Sequence, residues 1–213
     1  MIDDYLTLCF VTHRQDQSFH VYQQVILNAI QGGVTSVQLR DKNASLVELH
    51  AMALALKSLL TPLNIPLIIN DHVDIAHAVD AAGVHLGQTD GLPALARAML
   101  GPTKRIGLSI ETFDDLARAN SLTCIDYLAA SAVFPSQTKR NCATIWGLDG
   151  LRKISAASKH PVVAIGGIEL NNIKETMACG VAGVAVVGAI HRASCPKQAA
   201  AALIHAIRET HHV

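Results

Sequence analysis

Residues 67–90 read LIINDHVDIAHAVDAAGVHLGQTD. Two short apolar runs, Leu67–Asn70 and Gly83–Leu86, bracket a helix-like segment, and each run ends in polar residues: Asn70-Asp71-His72 after the first, Gly87-Gln88-Thr89-Asp90 after the second. A strand, a helix and a second strand in this order make a βα unit of a parallel sheet.

The same alternation extends in both directions. Counting outward gives eight strand candidates: Leu6–Thr12, Ser36–Arg40, Leu67–Asn70, Gly83–Leu86, Arg105–Ser109, Tyr127–Val133, Val162–Ile165 and Gly183–Val187. Ala- and Leu-rich stretches separate them. In Ser45–Leu60, Ser45 is placed to cap a helix, Glu48 follows three residues on, and Leu46, Leu49, Ala53 and Leu56 share a face. The last helix candidate, Pro196–Glu209, opens on a proline that a first helical turn accepts. Eight βα units close a barrel, so the expected fold is α/β, a single (β/α)8 TIM barrel over residues 1–213. An open doubly wound sheet would share the alternation but should carry a GxGxxG turn after its first strand, and none follows Thr12. Gly166-Gly167 and Gly188 follow the seventh and eighth runs instead, where barrels often bind phosphate through backbone N–H groups.

Composition narrows the function. With 213 residues, 50% of them hydrophobic and 16% charged, the chain is expected to fold around one core. Seventeen basic residues balance seventeen acidic ones, which removes a global electrostatic reason for binding nucleic acid or an anionic membrane. Five cysteines without a CxxC pair argue against a disulfide framework and a structural zinc site. The N-terminus lacks the pattern of a signal peptide and no apolar run reaches the length of a membrane span, so a cytoplasmic location is expected.

Candidate chemistry gathers at the expected strand ends. In Gln38-Leu39-Arg40-Asp41-Lys42, alternation sends Gln38 and Arg40 to the same side, with Lys42 joining them if the chain stays extended; a solvated strand end is the plainer alternative. Arg40 would offer a planar fork and Lys42 a point charge to a diphosphate. Asp71 either caps the helix behind it or converges with Asp90 on the neighbouring strand end. Two carboxylates beside two cations suit Mg²⁺ with a phosphorylated substrate. His85, between Val84 and Leu86, reads more readily as a hydrogen-bonded packing histidine than as a ligand or base. Gly107 would permit close approach and Ser109 supplies a hydroxyl. Residues 134–140 combine Ser136, Thr138, Lys139 and Arg140, either a loop over an anion or an ordinary polar loop.

Together, QLRDK at 38–42, ND at 70–71, GVHLGQTD at 83–90, IGLS at 106–109, FPSQTK at 134–139 and AIGGI at 164–168 resemble the thiamine phosphate synthase family across nearly the whole chain. The resemblance implies a transferase that joins hydroxymethylpyrimidine diphosphate to hydroxyethylthiazole phosphate, yielding thiamine monophosphate and pyrophosphate with Mg²⁺ as cofactor. It assigns Gln38, Leu39, Arg40, Asp41, Lys42, Asn70, Ser109 and Lys139 to the pyrimidine diphosphate, and Asp71 and Asp90 to the metal. Of these, Arg40, Lys42, Ser109 and Lys139 would act in catalysis. Ser136, Gln137, Thr138, Gly167, Val187 and Gly188 fall to the thiazole phosphate. The family usually has threonine at the position of Ser136, and often Asp or Asn at that of His13; serine retains the hydroxyl. The implied partners are small molecules, with homo-oligomerisation left open. A thiazole tautomerase of the same superfamily would not need Asp71, Asp90, Arg40 and Lys42, and a noncatalytic phosphate-binding barrel is the alternative from a different class.

Overall fold

The computed structural model describes residues 4–14, 17–136 and 144–210. Eight parallel strands, β1 (Leu8–Val11), β2 (Ser36–Leu39), β3 (Leu67–Asn70), β4 (Gly83–Leu86), β5 (Arg105–Ile110), β6 (Tyr127–Ser131), β7 (Val162–Ile165) and β8 (Gly183–Val186), pair in sequence order, and β8 returns to β1 to close the barrel. The helices that follow them are α1 (Phe19–Gln31), α2 (Leu46–Leu60), α3 (Val73–Ala78), α4 (Pro93–Leu100), α5 (Phe113–Ala119), α6 (Gly147–Ala157) and α7 (Ile173–Met177). After β8 come the one-turn helix α8 (Gly188–His191) and the longer α9 (Pro196–Thr210).

Strand alternation splits each strand between two environments. Leu8 and Phe10, Val37 and Leu39, Leu67 and Ile69, Val84 and Leu86, Ile106 and Leu108, Leu128 and Ala130, and Val184 and Val186 belong to the core between barrel and helices. The intervening residues turn toward the barrel axis. There Tyr5, Cys9, Gln38, His85, Tyr127 and Ala185 surround a cavity of only about 20 Å³. The interior is therefore packed, and any ligand must bind at an end.

Helix α2 shows how local sequence sets an element. Ser45 has extended backbone and accepts from the Glu48 amide at 3.3 Å, while Glu48 Oε2 accepts from the Ser45 amide at 2.9 Å. Two backbone donors at the helix start are satisfied reciprocally, and the bonds from Ser45 hold the Glu48 carboxyl below its ordinary range. Leu49, Ala53 and Leu56 are buried as the spacing predicts, but Leu46, in the first turn, is 57% exposed. The segment Leu46–Leu63 is, against the sequence expectation, long and apolar enough to cross a membrane; here its buried side, with Met52 and Leu60 added, lies on the barrel. Replacing Ser45 by Ala should cost about 1 kcal/mol of stability, read from urea denaturation, without changing activity.

Candidate active site

The carboxyl ends of the strands form one face, and β2 is anchored to β1 there by a hydroxyl. Thr12 Oγ1 accepts from the Tyr22 hydroxyl at 2.7 Å and from the Arg40 amide at 3.1 Å, so the backbone of Arg40 is held where β2 ends. Asp41 turns to Arg14, with Nε 3.2 Å from Oδ2, and its Oδ1 accepts from the Asn43 amide at 3.1 Å. Asp41 thus shapes the loop with its carboxylate. Lys42 reaches across to Asp71, with 3.5 Å between Nζ and Oδ2.

Asp71 does not cap α3: the capping position is His72, which makes no side-chain cap bond. Asp71 instead sits at an abrupt bend, with φ of 66°, its amide donating to the His85 carbonyl at 2.8 Å. Aspartate is among the residues that tolerate this left-handed conformation. Burial raises its carboxyl above the usual range, the adjoining Asp90 carboxyl raises it further, and Lys42 opposes them. Asp90 is fixed by the Gly87 amide, which donates to Oδ2 at 2.7 Å. Two carboxylates pressed together are costly unless a proton or cation lies between them, and their hard oxygen donors fit Mg²⁺. Among the described residues no group of three or more His, Cys, Asp or Glu is placed to hold a metal ion.

Below this charged rim the inward residues are polar: amides, a hydroxyl and a histidine. Gln38 Nε2 lies 3.5 Å from Asn70 Oδ1. His85 Nε2 is 2.9 Å from Ser109 Oγ, and Gln88 Nε2 donates to the Ser109 carbonyl at 2.6 Å.

A cavity of about 270 Å³ opens beside the rim, lined by Ser136, Gly167, Val187, Gly188, Arg192 and, unexpectedly, Arg40. Gly166 and Gly167 have φ of 99° and 64°. A Cβ on Gly167 would lie 2.6 Å from Phe134 Cβ and 2.7 Å from the Pro135 carbonyl oxygen, so the loop after β7 packs directly on the loop after β6. Asn172 holds this turn, donating to the Gly167 carbonyl and accepting from the Glu169 amide, both at 2.9 Å. The Arg192 guanidinium lies over Gly188, where a Cβ would collide with it, and pairs with Glu169 at 2.8 Å. At the departing position His13 rests edge-on against His191, ring centroids 5.7 Å apart.

A family model described as thiamine monophosphate synthase matches residues 8–190. The chain belongs to the thiamine monophosphate synthase family. The thiamine-phosphate synthase of Vibrio parahaemolyticus is 47% identical over 197 residues, covering 92% of this chain and 96% of the relative; that of Chlamydia caviae is 44% identical over 203 residues, covering 95% of each. The structure of thiamine phosphate pyrophosphorylase from Pyrococcus furiosus superposes with a TM-score of 0.87 at 34% identity, covering 97% of this chain and 98% of that one. A 3-hexulose-6-phosphate synthase, at 16% identity and a TM-score of 0.73, shares the fold.

Within the thiamine monophosphate synthase pattern, the structure brings Gln38, Asn70, Ser109, Lys42, Asp71 and Asp90 to one side of the mouth and Ser136, Gly167, Val187 and Gly188 to the other. Arg40, expected with the diphosphate-side residues, lines the cavity of the second side. Gln137, Thr138, Lys139 and Arg140 lie outside the described residues. Sequence reading missed Arg192, whose signal is a cation four residues after Gly188, and Thr12 with Tyr22, whose apolar surroundings gave no sign of a paired hydroxyl.

Proposed function

We propose that this enzyme joins hydroxymethylpyrimidine diphosphate to hydroxyethylthiazole phosphate, giving thiamine monophosphate and pyrophosphate. The observation that carries the reading is the Asp71–Asp90 carboxylate pair beside Lys42, set across from a separate glycine-walled cavity that Arg40 borders. One side suits a metal-bound diphosphate and the other a monophosphate.

The bond between the pyrimidine methylene and the diphosphate oxygen breaks with its electron pair leaving on pyrophosphate, and the thiazole nitrogen supplies the pair for the new C–N bond. The electron-rich aminopyrimidine tolerates positive charge at the methylene, so no protein nucleophile is needed. Mg²⁺ held by Asp71 and Asp90 would neutralise charge on the diphosphate. Arg40 and Lys42, joined by Lys139, stabilise the leaving pyrophosphate as its charge grows. Gln38, Asn70 and Ser109 offer neutral hydrogen bonds to the pyrimidine ring beneath the charged rim. Ser136, with Gln137 and Thr138, and the backbone at Gly167 and Val187–Gly188 receive the thiazole phosphate. Balanced charge and small anionic substrates suit a cytoplasmic setting.

The decisive experiment incubates the purified protein with both substrates, with and without Mg²⁺, and follows thiamine phosphate and pyrophosphate together. Equal amounts of both products, dependent on the metal, are expected. Substrate binding without either product would favour a noncatalytic barrel, and isomerisation of a thiazole without pyrophosphate release would favour a tautomerase. Arg192→Ala should raise KM for the thiazole phosphate by roughly tenfold with little change in kcat, because it removes one charge-assisted contact from a half-exposed pair. An unchanged KM would remove Arg192 from the pocket's working set.

A further inference from the structure

Three inward side chains on neighbouring strands form a continuous hydrogen-bonded line. The Tyr127 hydroxyl on β6 is 3.0 Å from His85 Nδ1 on β4, and His85 Nε2 is 2.9 Å from Ser109 Oγ on β5. Between β4 and β6 runs β5, whose Gly107 is in register with both His85 and Tyr127. A Cβ at Gly107 would stand 2.5 Å from His85 Nδ1 and 2.5 Å from the Tyr127 hydroxyl. The absent side chain is what allows one hydrogen bond to span an entire strand.

The order of protons along this line follows from burial. Tyr127 is 6% exposed, and among the described residues its hydroxyl has His85 as its hydrogen-bond partner. Burial pushes the Tyr127 hydroxyl well above the usual phenol range, so it keeps its proton. A buried O–H that did not donate would leave its desolvation uncompensated, so it donates to Nδ1. A nitrogen that accepts has a lone pair, so in the neutral imidazole the ring's single proton sits on Nε2. Nε2–H then donates to Ser109 Oγ, which leaves the Ser109 hydroxyl hydrogen to turn to another acceptor.

We propose that Tyr127 and His85 are positioning residues that hold Ser109 as a hydrogen-bond donor to a ring nitrogen of the pyrimidine substrate. This rests on the synthase reading above. The ring is the target because Ser109 is bonded to His85, which is in register with Asn70 of the uncharged Gln38–Asn70 pair, whereas Lys42, Asp71 and Asp90 follow the strand ends and suit diphosphate.

The test begins on ligand-free protein labelled with ¹⁵N-histidine, where long-range ¹H–¹⁵N spectra report the tautomer of each ring. With the His85 signals assigned by their loss in His85→Asn, the Nε2–H tautomer is expected in the wild type, and Tyr127→Phe should shift the signals toward Nδ1–H. In steady-state kinetics Tyr127→Phe should raise KM for the pyrimidine diphosphate about tenfold while KM for the thiazole phosphate stays the same. The same change in a Ser109→Ala background should cost nothing further, Ser109→Thr should restore most of what Ser109→Ala loses, and inhibition by inorganic pyrophosphate should be unaltered throughout. An Nδ1–H tautomer in the wild type would overturn the proposal even if Tyr127→Phe failed to fold. Additive losses in the double variant, or pyrophosphate inhibition weakened with substrate binding, would overturn it as well. A wild type without turnover would instead refute the synthase reading and leave the tautomer measurable.

Discussion

Asp71→Asn and Asp90→Asn should each lower turnover at limiting Mg²⁺ by at least about 100-fold, with partial recovery as Mg²⁺ is raised. The substitutions are chosen so that the fold keeps its local bonds. Asparagine tolerates the positive φ of position 71, and its amide oxygen at position 90 can still accept from the Gly87 amide. What each variant loses is charge. The raised carboxyl of Asp71 also predicts an opposite effect on stability. Its folded-state pKa lies above the ordinary 3.8, so the folded protein binds that proton more tightly; the resulting stability is present at low pH and is lost as pH rises from 3.8 through the folded value. At neutral pH in chelator the ionised Asp71 therefore opposes folding, and Asp71→Asn should be at least as stable as the wild type in urea, more so at pH 7 than at pH 4. The exposed Lys42 partner adds little to offset this. Wild-type turnover and metal dependence in both variants would remove the proposed metal site.

Gly167→Ala should raise KM for the thiazole phosphate by roughly 30- to 100-fold while KM for the pyrimidine diphosphate changes little. Two costs combine. A φ of 64° costs an alanine about 1–2 kcal/mol, and its Cβ would drive into the Phe134 stem and the Pro135 carbonyl, neither of which can rotate aside. Relief requires the loops after β6 and β7 to separate, and these loops carry Ser136 and the Gly166–Gly167 turn into the cavity. Gly180→Ala is the control. Its φ of 82° imposes similar strain at the opposite barrel end, where its nearest neighbour is Ser155 Oγ at 3.2 Å, so stability should fall with both KM values unchanged. Equal kinetic effects of the two variants would show that general loosening, not the phosphate pocket, is responsible.

The barrel was legible because its signal is local. Leu67–Asn70, Gly83–Leu86 and Val162–Ile165 are strands with the limits their apolar runs predict. Elsewhere the ends moved. The run from Leu6 begins as a 3-10 turn at Asp4–Leu6, leaving β1 to start at Leu8, and β6 ends at Ser131 although apolar sequence continues to Val133. Apolar character marks burial, and burial continues past the last ladder hydrogen bond. Leu46 fits the helical spacing yet is exposed, since spacing defines a face but not how far the barrel beneath it extends.

Which side chains turn inward could be read from the residues alone. The two-residue period of a strand sends Gln38, His85 and Ser109 to the axis as soon as Val37, Val84 and Leu108 go to the helix layer. The same reading placed the turn residues Asp71, Asp90, Gly167 and Gly188 at the carboxyl ends of strands. Which of them meet depends on the closed barrel. Lys42 finds Asp71 from 29 positions away, Tyr127 finds His85 across 42, Arg192 finds Glu169 across 23, and Arg40 comes to the wall it shares with Gly188. Those distances follow from the register and closure of eight strands, which depend on all the side chains packed around them, and no periodicity within a single element records them.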